Sequence, residues 1–238
     1  MLTTTITPET LLADVVTEYP SLARTLERLG FDFCCQGQRS IAVASAALGL
    51  DPEAVVRELA DGSAEQESAD WAVMAPGDLV DHVEHTHHKY VWEELPRLAA
   101  LIEKIVAVHG ANHPELSEIQ ATFNELRSDF EPHMRKEELM LFPAIRQIAV
   151  AETLPEFPFG SISNPISVML SQHDETAVLL ERLRAQTNGF QAPADGCATY
   201  QATFAGLEEF ERDTHLHVHK ENNLLFPAVL RVEARLSA

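Results

Sequence analysis

Apolar residues recur at helical spacing along the chain, and in the first sixty residues they come in short groups. Leu11, Leu12, Val15 and Val16 form the first group, Leu22, Leu26 and Leu29 the second, and residues 41–48 the third. Thr7-Pro8-Glu9 offers a cap, a first-position proline and an early acid, so a helix is expected to start there. Gly30 stops the second group and Gly49 the third, and Asp51-Pro52-Glu53 opens a fourth that ends near Asp61-Gly62. Residues 62–70 (GSAEQESAD) are polar and lack large apolar side chains, which is linker composition. The expected division is a small helical domain over 1–62, a linker over 63–75 and a larger unit over 76–236.

Past the linker the periodic stretches lengthen. Four helices are expected at about 76–108, 114–150, 165–187 and 198–235, which makes the chain all-α, an up-and-down four-helix bundle preceded by the cluster of short helices. Pro96, Pro132, Pro143 and Pro227 fall inside these spans. Kinks or shortened helices are expected there, because an interior proline removes a backbone hydrogen bond and clashes with the preceding turn.

Composition narrows the function. Seventeen basic against 37 acidic residues give a formal charge of -20, which opposes nucleic acid and anionic membrane alike. No basic segment precedes an apolar run in MLTTTITPETLLADVV, and residues 41–50 are too short to cross a bilayer, so a cytoplasmic location is expected. Three cysteines, two of them adjacent, are no disulfide framework and suit a reducing compartment.

One pattern occurs twice. His133-Met134-Arg135-Lys136-Glu137 runs on to Leu141-Phe142-Pro143-Ala144, and His217-Val218-His219-Lys220-Glu221 runs on to Leu225-Phe226-Pro227-Ala228. Histidine and glutamate four positions apart project from one face of a helix. His88 and His173 precede the two copies at nearly equal distances, as a doubled two-helix unit requires. The midpoint between His88 and His133 falls in the breaker stretch 109–114, that between His173 and His217 at Asp195, and that between Glu137 and His173 at Pro155. Residues equidistant from a connecting turn lie at one height in antiparallel helices, so His88, His133, Glu137, His173, His217 and Glu221 are expected on one level. Four imidazoles with two central carboxylates suit a pair of first-row transition ions, and two irons are the expected occupants. A single such motif would more often be a surface ion pair; the repeat is what favours ligands. His215 and His219 form a competing pair with zinc-like spacing, but helical phase turns them away from His217 and Glu221, outward. His85 and Glu84 are candidates to hold a ligand's free N–H, or else part of a solvated bundle end. His82, His87, His109 and His113 are read as surface residues.

These residues resemble the iron-sulfur cluster repair proteins with a hemerythrin-like di-iron domain. The resemblance rests on HMRKEELMLFP at 133–143, HDE at 173–175 and HVHKENNLLFP at 217–227, and Phe31-Asp32-Phe33-Cys34-Cys35-Gln36-Gly37 is similar to that family's N-terminal vicinal-cysteine segment. It implies a hemerythrin-like bundle holding two non-haem irons with oxo and carboxylate bridging, His88, His133, His173 and His217 as terminal ligands, and Glu137 and Glu221 as bridges. It also implies Cys34 and Cys35 as the reacting thiols, damaged iron-sulfur proteins or their assembly machinery as partners, and nitric oxide or oxygen as small ligands. Repair after nitrosative or oxidative stress, by iron donation or by nitric oxide handling, is the implied function; reversible oxygen or nitric oxide binding without catalysis is the alternative. Taken alone, the adjacent cysteines read equally well as packed side chains, and Cys197 reads as structural.

Overall fold

The computed structural model describes residues 5–62 and 70–237. The first helix, α1 (Leu12–Glu18), starts later than the Thr7-Pro8-Glu9 signal suggests. Thr10 Oγ1 accepts from the Thr7 N–H at 2.9 Å, Leu12 N–H donates to the Arg39 carbonyl and Ile41 N–H to the Thr10 carbonyl, and Leu11 pairs with Ser40 in an isolated bridge. Backbone groups that would have formed a first helical turn are thus used across the chain. α2 (Ala23–Arg28) follows a 3-10 turn at Pro20–Leu22. α3 (Ile41–Leu48) is capped by Ser40 Oγ, which accepts from the Val43 N–H at 3.3 Å, and ends at Gly49 with φ of 70°. α4 (Pro52–Gly62) is opened by Asp51, whose Oδ1 accepts from the Glu53 N–H. Leu12, Val16, Leu26, Phe33, Ile41 and Leu59 form the buried core of this domain, joined by Val218 from the bundle. Each such side chain contributes about 1.5–3 kcal/mol by leaving water. The expected linker falls largely on residues 63–69, outside the described residues, and Asp70–Val73 is a 3-10 turn.

Four legs make the bundle. The first is α5 (Pro76–Val83), a π turn (Glu84–His88) and α6 (Lys89–His109). The second is α7 (Glu115–Lys136), a π turn (Glu137–Leu141) and α8 (Phe142–Val150). α9 (Ser163–Gln186) is the uninterrupted third, and α10 (Ala198–Lys220), a π turn (Glu221–Leu225) and α11 (Phe226–Leu236) form the fourth. Two of the π turns lie just before Pro143 and Pro227, where a proline has no N–H to give and its ring crowds the carbonyl four residues back. The third has no such local cause. Pro96 and Pro132 sit inside α6 and α7, which run through them without a break.

The apolar interior is split in two. Val91, Leu95, Phe123, Phe130, Leu183 and Phe210 belong to one layer, and Val83, Phe142, Ile145, Ile166, Phe226 and Val229 to the other. Between them lies a polar level that includes all six candidate ligands. Among the described residues no helix is long and apolar enough to cross a membrane.

Candidate metal centre

Each leg brings its share of this level. His88 ends the first π turn, His133 and Glu137 flank the end of α7, His173 sits mid-α9, and His217 and Glu221 flank the end of α10. None of the six is more than 2% exposed. Two groups form, His88 with His217 and His133 with His173, and both carboxylates belong to both, the ligand atoms of each group lying within 4.8 Å of one another. Glu137 Oε2 lies 3.4 Å from His88 Nε2 and 3.3 Å from His133 Nε2. Glu221 Oε1 lies 3.2 Å from His217 Nε2, and its Oε2 lies 3.2 Å from His173 Nε2. Each glutamate therefore spans the two histidine pairs.

The outer ring nitrogens fix the chemistry of the inner ones. His88 Nδ1 is 2.9 Å from Glu138 Oε1, His133 Nδ1 is 3.2 Å from Gln172 Oε1, and His173 Nδ1 is 2.7 Å from Asn222 Oδ1. Acceptors there draw the proton to Nδ1 and leave Nε2 as a lone pair. The Nε2 atoms of His88 and His217 face each other at 3.2 Å, as do those of His133 and His173. In the His133–His173 pair, where both Nδ1 atoms are so held, the opposed lone pairs repel unless a cation lies between them. Both oxygens of Glu137 and Oε2 of Glu221 are buried with no hydrogen-bond partner. Uncompensated, such a burial costs several kcal/mol per ion, so the donor set fits metal binding. Burial opposes a charged ring at His88, yet the neighbouring carboxylates of Glu137 and Glu138 raise it to about 10. Burial and Glu221 push the Glu137 carboxyl up, and His133 and His88 overcome them to hold it below the usual carboxylate range. The cluster as a whole wants positive charge at its centre.

Sequence reasoning missed part of the surroundings. Glu138 and Asn222 stand at matching positions after the two central glutamates, a signal that extending the repeat by one residue would have given. Glu84 instead pairs with Arg146 and His85 bonds the Asp81 carbonyl, so neither holds a ligand. His87 is buried rather than on the surface: its ring stacks on His217, its Nδ1 meets Asp213 at 2.9 Å, and its Nε2 takes a hydrogen bond from Lys220 Nζ at 2.7 Å. Lys220, also bonded to His82, is itself buried, and its pKa falls to about 8. His215 and His219 do face away from the ligands, but toward the N-terminal domain rather than solvent. His219 is fully buried against Phe33, Trp71 and Thr17, and His215 Nδ1 meets Glu27 at 2.8 Å. Cys197, read as structural, is exposed and lies 3.2 Å from His109.

Cys34 and Cys35 join a separate group with Asp32 rather than the six candidate ligands. The connection between the two runs through backbone and amide. Asn222 Nδ2 donates to the Cys34 carbonyl at 3.3 Å while its Oδ1 receives His173, and Asn223 Nδ2 donates to the same carbonyl at 2.9 Å.

Residues 79–229 match the Hemerythrin HHE cation binding domain, and residues 9–62 match ScdA_N, a domain of unknown function. The chain is 31% identical to the iron-sulfur cluster repair protein ScdA of Staphylococcus epidermidis over 227 residues, covering 94% of this chain and 99% of that protein. It is 31% identical to the iron-sulfur cluster repair protein YtfE of Escherichia coli over 222 residues, covering 93% and 97%, and 30% identical to a probable iron-sulfur cluster repair protein of Haemophilus influenzae, covering 92% and 96%. With both domains matched in order and near-complete coverage on each side, the chain belongs to the family of iron-sulfur cluster repair proteins.

Proposed function

We propose that this protein restores damaged iron-sulfur proteins, using two non-haem iron ions held by His88, His133, His173 and His217 and bridged by Glu137 and Glu221. The observation that carries this reading is that both buried carboxylates belong to both histidine pairs. Bound iron would supply redox equivalents and an exchangeable metal. The residues themselves do the rest. Glu138, Gln172 and Asn222 keep three imidazoles in the metal-binding tautomer. Phe130 stacked on His133 and Phe226 stacked on His173 limit water at the rings. Cys34 and Cys35 would handle the species that leaves or enters the centre, and the iron-sulfur repair names of the relatives support a repair role over a carrier that only binds gas.

Metal analysis of protein purified without air tests the centre. Two irons per chain in the wild type and loss of both in the Glu137→Gln, Glu221→Gln double variant are the expected results. A single zinc, or iron unaffected by those substitutions, would overturn the assignment. Recovery of a damaged iron-sulfur enzyme tests the role, and Cys34→Ser with Cys35→Ser should abolish it while leaving both irons bound.

A further inference from the structure

We propose that Asp32, Cys34 and Cys35 form a third metal site, a carboxylate and two thiolates that seat one soft divalent cation on the wall of an acidic cleft between the two domains. The cleft has a volume of about 490 Å³, with Asp32 and Cys34 on the N-terminal side and α9 and α10 on the other. Glu27, Asp174, Glu181 and Glu211 add further carboxylates to its walls, against the single guanidinium of Arg184, which is already paired with Glu211. Such a lining draws cations in and repels anions.

The three donors are spaced for one ion. The sulfurs are free thiols 3.7 Å apart. A tetrahedral ion with metal–sulfur bonds of about 2.3 Å holds two thiolates about 3.8 Å apart. Asp32 Oδ1 lies 3.3 Å from the Cys34 sulfur and is fixed by the Cys35 N–H at 2.9 Å, so the carboxylate is already aimed at the pair. Thiolates with a carboxylate select zinc-like and ferrous ions over magnesium or calcium. The hydrogen bond to Cys35, burial and Asp32 together push the Cys34 thiol well above its ordinary pKa, which disfavours a bare thiolate nucleophile. A cation changes the balance: two S–H bonds break, two metal–sulfur bonds form, two protons pass to solvent, and no electron moves. Release of the ion takes the protons back.

This seat adjoins the buried centre. Asn222 bonds the Cys34 carbonyl with one end of its amide and His173 with the other. A cation leaving or entering the bundle at His173 thus finds a soft waiting position beside it. That transit role rests on the repair reading above; the site itself does not.

Anaerobic titration of reduced, full-length protein with cobalt(II) tests it, in the iron-loaded wild type and in the Glu137→Gln, Glu221→Gln variant. One cobalt per chain should give a sulfur-to-cobalt charge-transfer band in both. Cys34→Ser and Cys35→Ser should each remove the band with the bundle irons retained, and Asp32→Asn should weaken cobalt binding about tenfold. Cys35 is only half-buried, so its variant carries the test if Cys34→Ser fails to fold by circular dichroism. No such band at saturating cobalt, a band surviving both cysteine substitutions, or an unchanged affinity in Asp32→Asn would overturn the site. A missing band in protein that binds two irons sinks this inference alone. A band in wild-type protein whose bundle binds no iron sinks the proposed function alone.

Discussion

Glu138 in the first copy of the motif and Asn222 in the second do the same thing for different neighbours. Each accepts the Nδ1 proton of the histidine on the preceding leg, His88 or His173. Glu138 then takes the Trp92 indole N–H at 2.8 Å, whereas Asn222 turns its amide to the N-terminal domain. One position further on, Leu139 is 77% exposed while Asn223 bonds the carbonyls of Phe33 and Cys34. Arg135 lies over Trp92, and its counterpart His219 is buried under Phe33. The inward face of each copy is thus set by what a metal needs, and the outward face by whether another domain sits on it. One copy meets water, the other is a docking surface.

The largest consequence should be a pH dependence contributed by His219, whose counterpart Arg135 stays charged throughout. Burial lowers His219 to about 4. The unfolded chain binds its proton below about 6.5, so the stability from a neutral, buried His219 is fully present above that pH. It is lost as pH falls toward 4, by on the order of 3 kcal/mol. Urea unfolding of metal-free protein across this range should show the loss, and His219→Gln should reduce its slope; an equal slope in both would break the contrast. Next come the paired supports. Glu138→Ala and Asn222→Ala should each weaken metal retention about 10- to 100-fold, and only Asn222→Ala should speed amide exchange in the Cys34 segment. Equal exchange in both variants would mean that Asn222 does not hold the domain.

A sharper version concerns His217. His133 has Gln172 on its Nδ1, but the matching residue to Gln172 is His87, which stacks on His217 and leaves that ring's Nδ1 without a partner. Chelator should therefore remove metal in two phases, with the ion beside His88 and His217 leaving about tenfold faster. Single-phase loss would make the two positions equivalent. The smallest effect separates Asn223 from Leu139. Asn223→Ala should cost about 1–2 kcal/mol for its lost hydrogen bonds, and Leu139→Ala under about 0.5 kcal/mol, both read from denaturant midpoints.

Much of this was legible in the chain, because a repeated hairpin writes the same candidate ligands twice and the turns between them mark their height. The four legs and the common level of His88, His133, Glu137, His173, His217 and Glu221 follow from that alone. The burial of His87 and His219 did not, since helical phase tells which way a side chain points from the centre and not what covers that side. The start of α1 was misplaced for a related reason: the bridge between Leu11 and Ser40 joins residues far apart in sequence. The π turns leave no mark in apolar periodicity, and only Pro143 and Pro227 hint at two of them.

Those turns also follow the repeat, with one exception. Glu137–Leu141 and Glu221–Leu225 occupy the same place relative to their histidines, so the widening is part of the repeated unit and starts at each central glutamate. Glu84–His88 has no equivalent around His173 on the uninterrupted α9, so this widening sets the two halves apart.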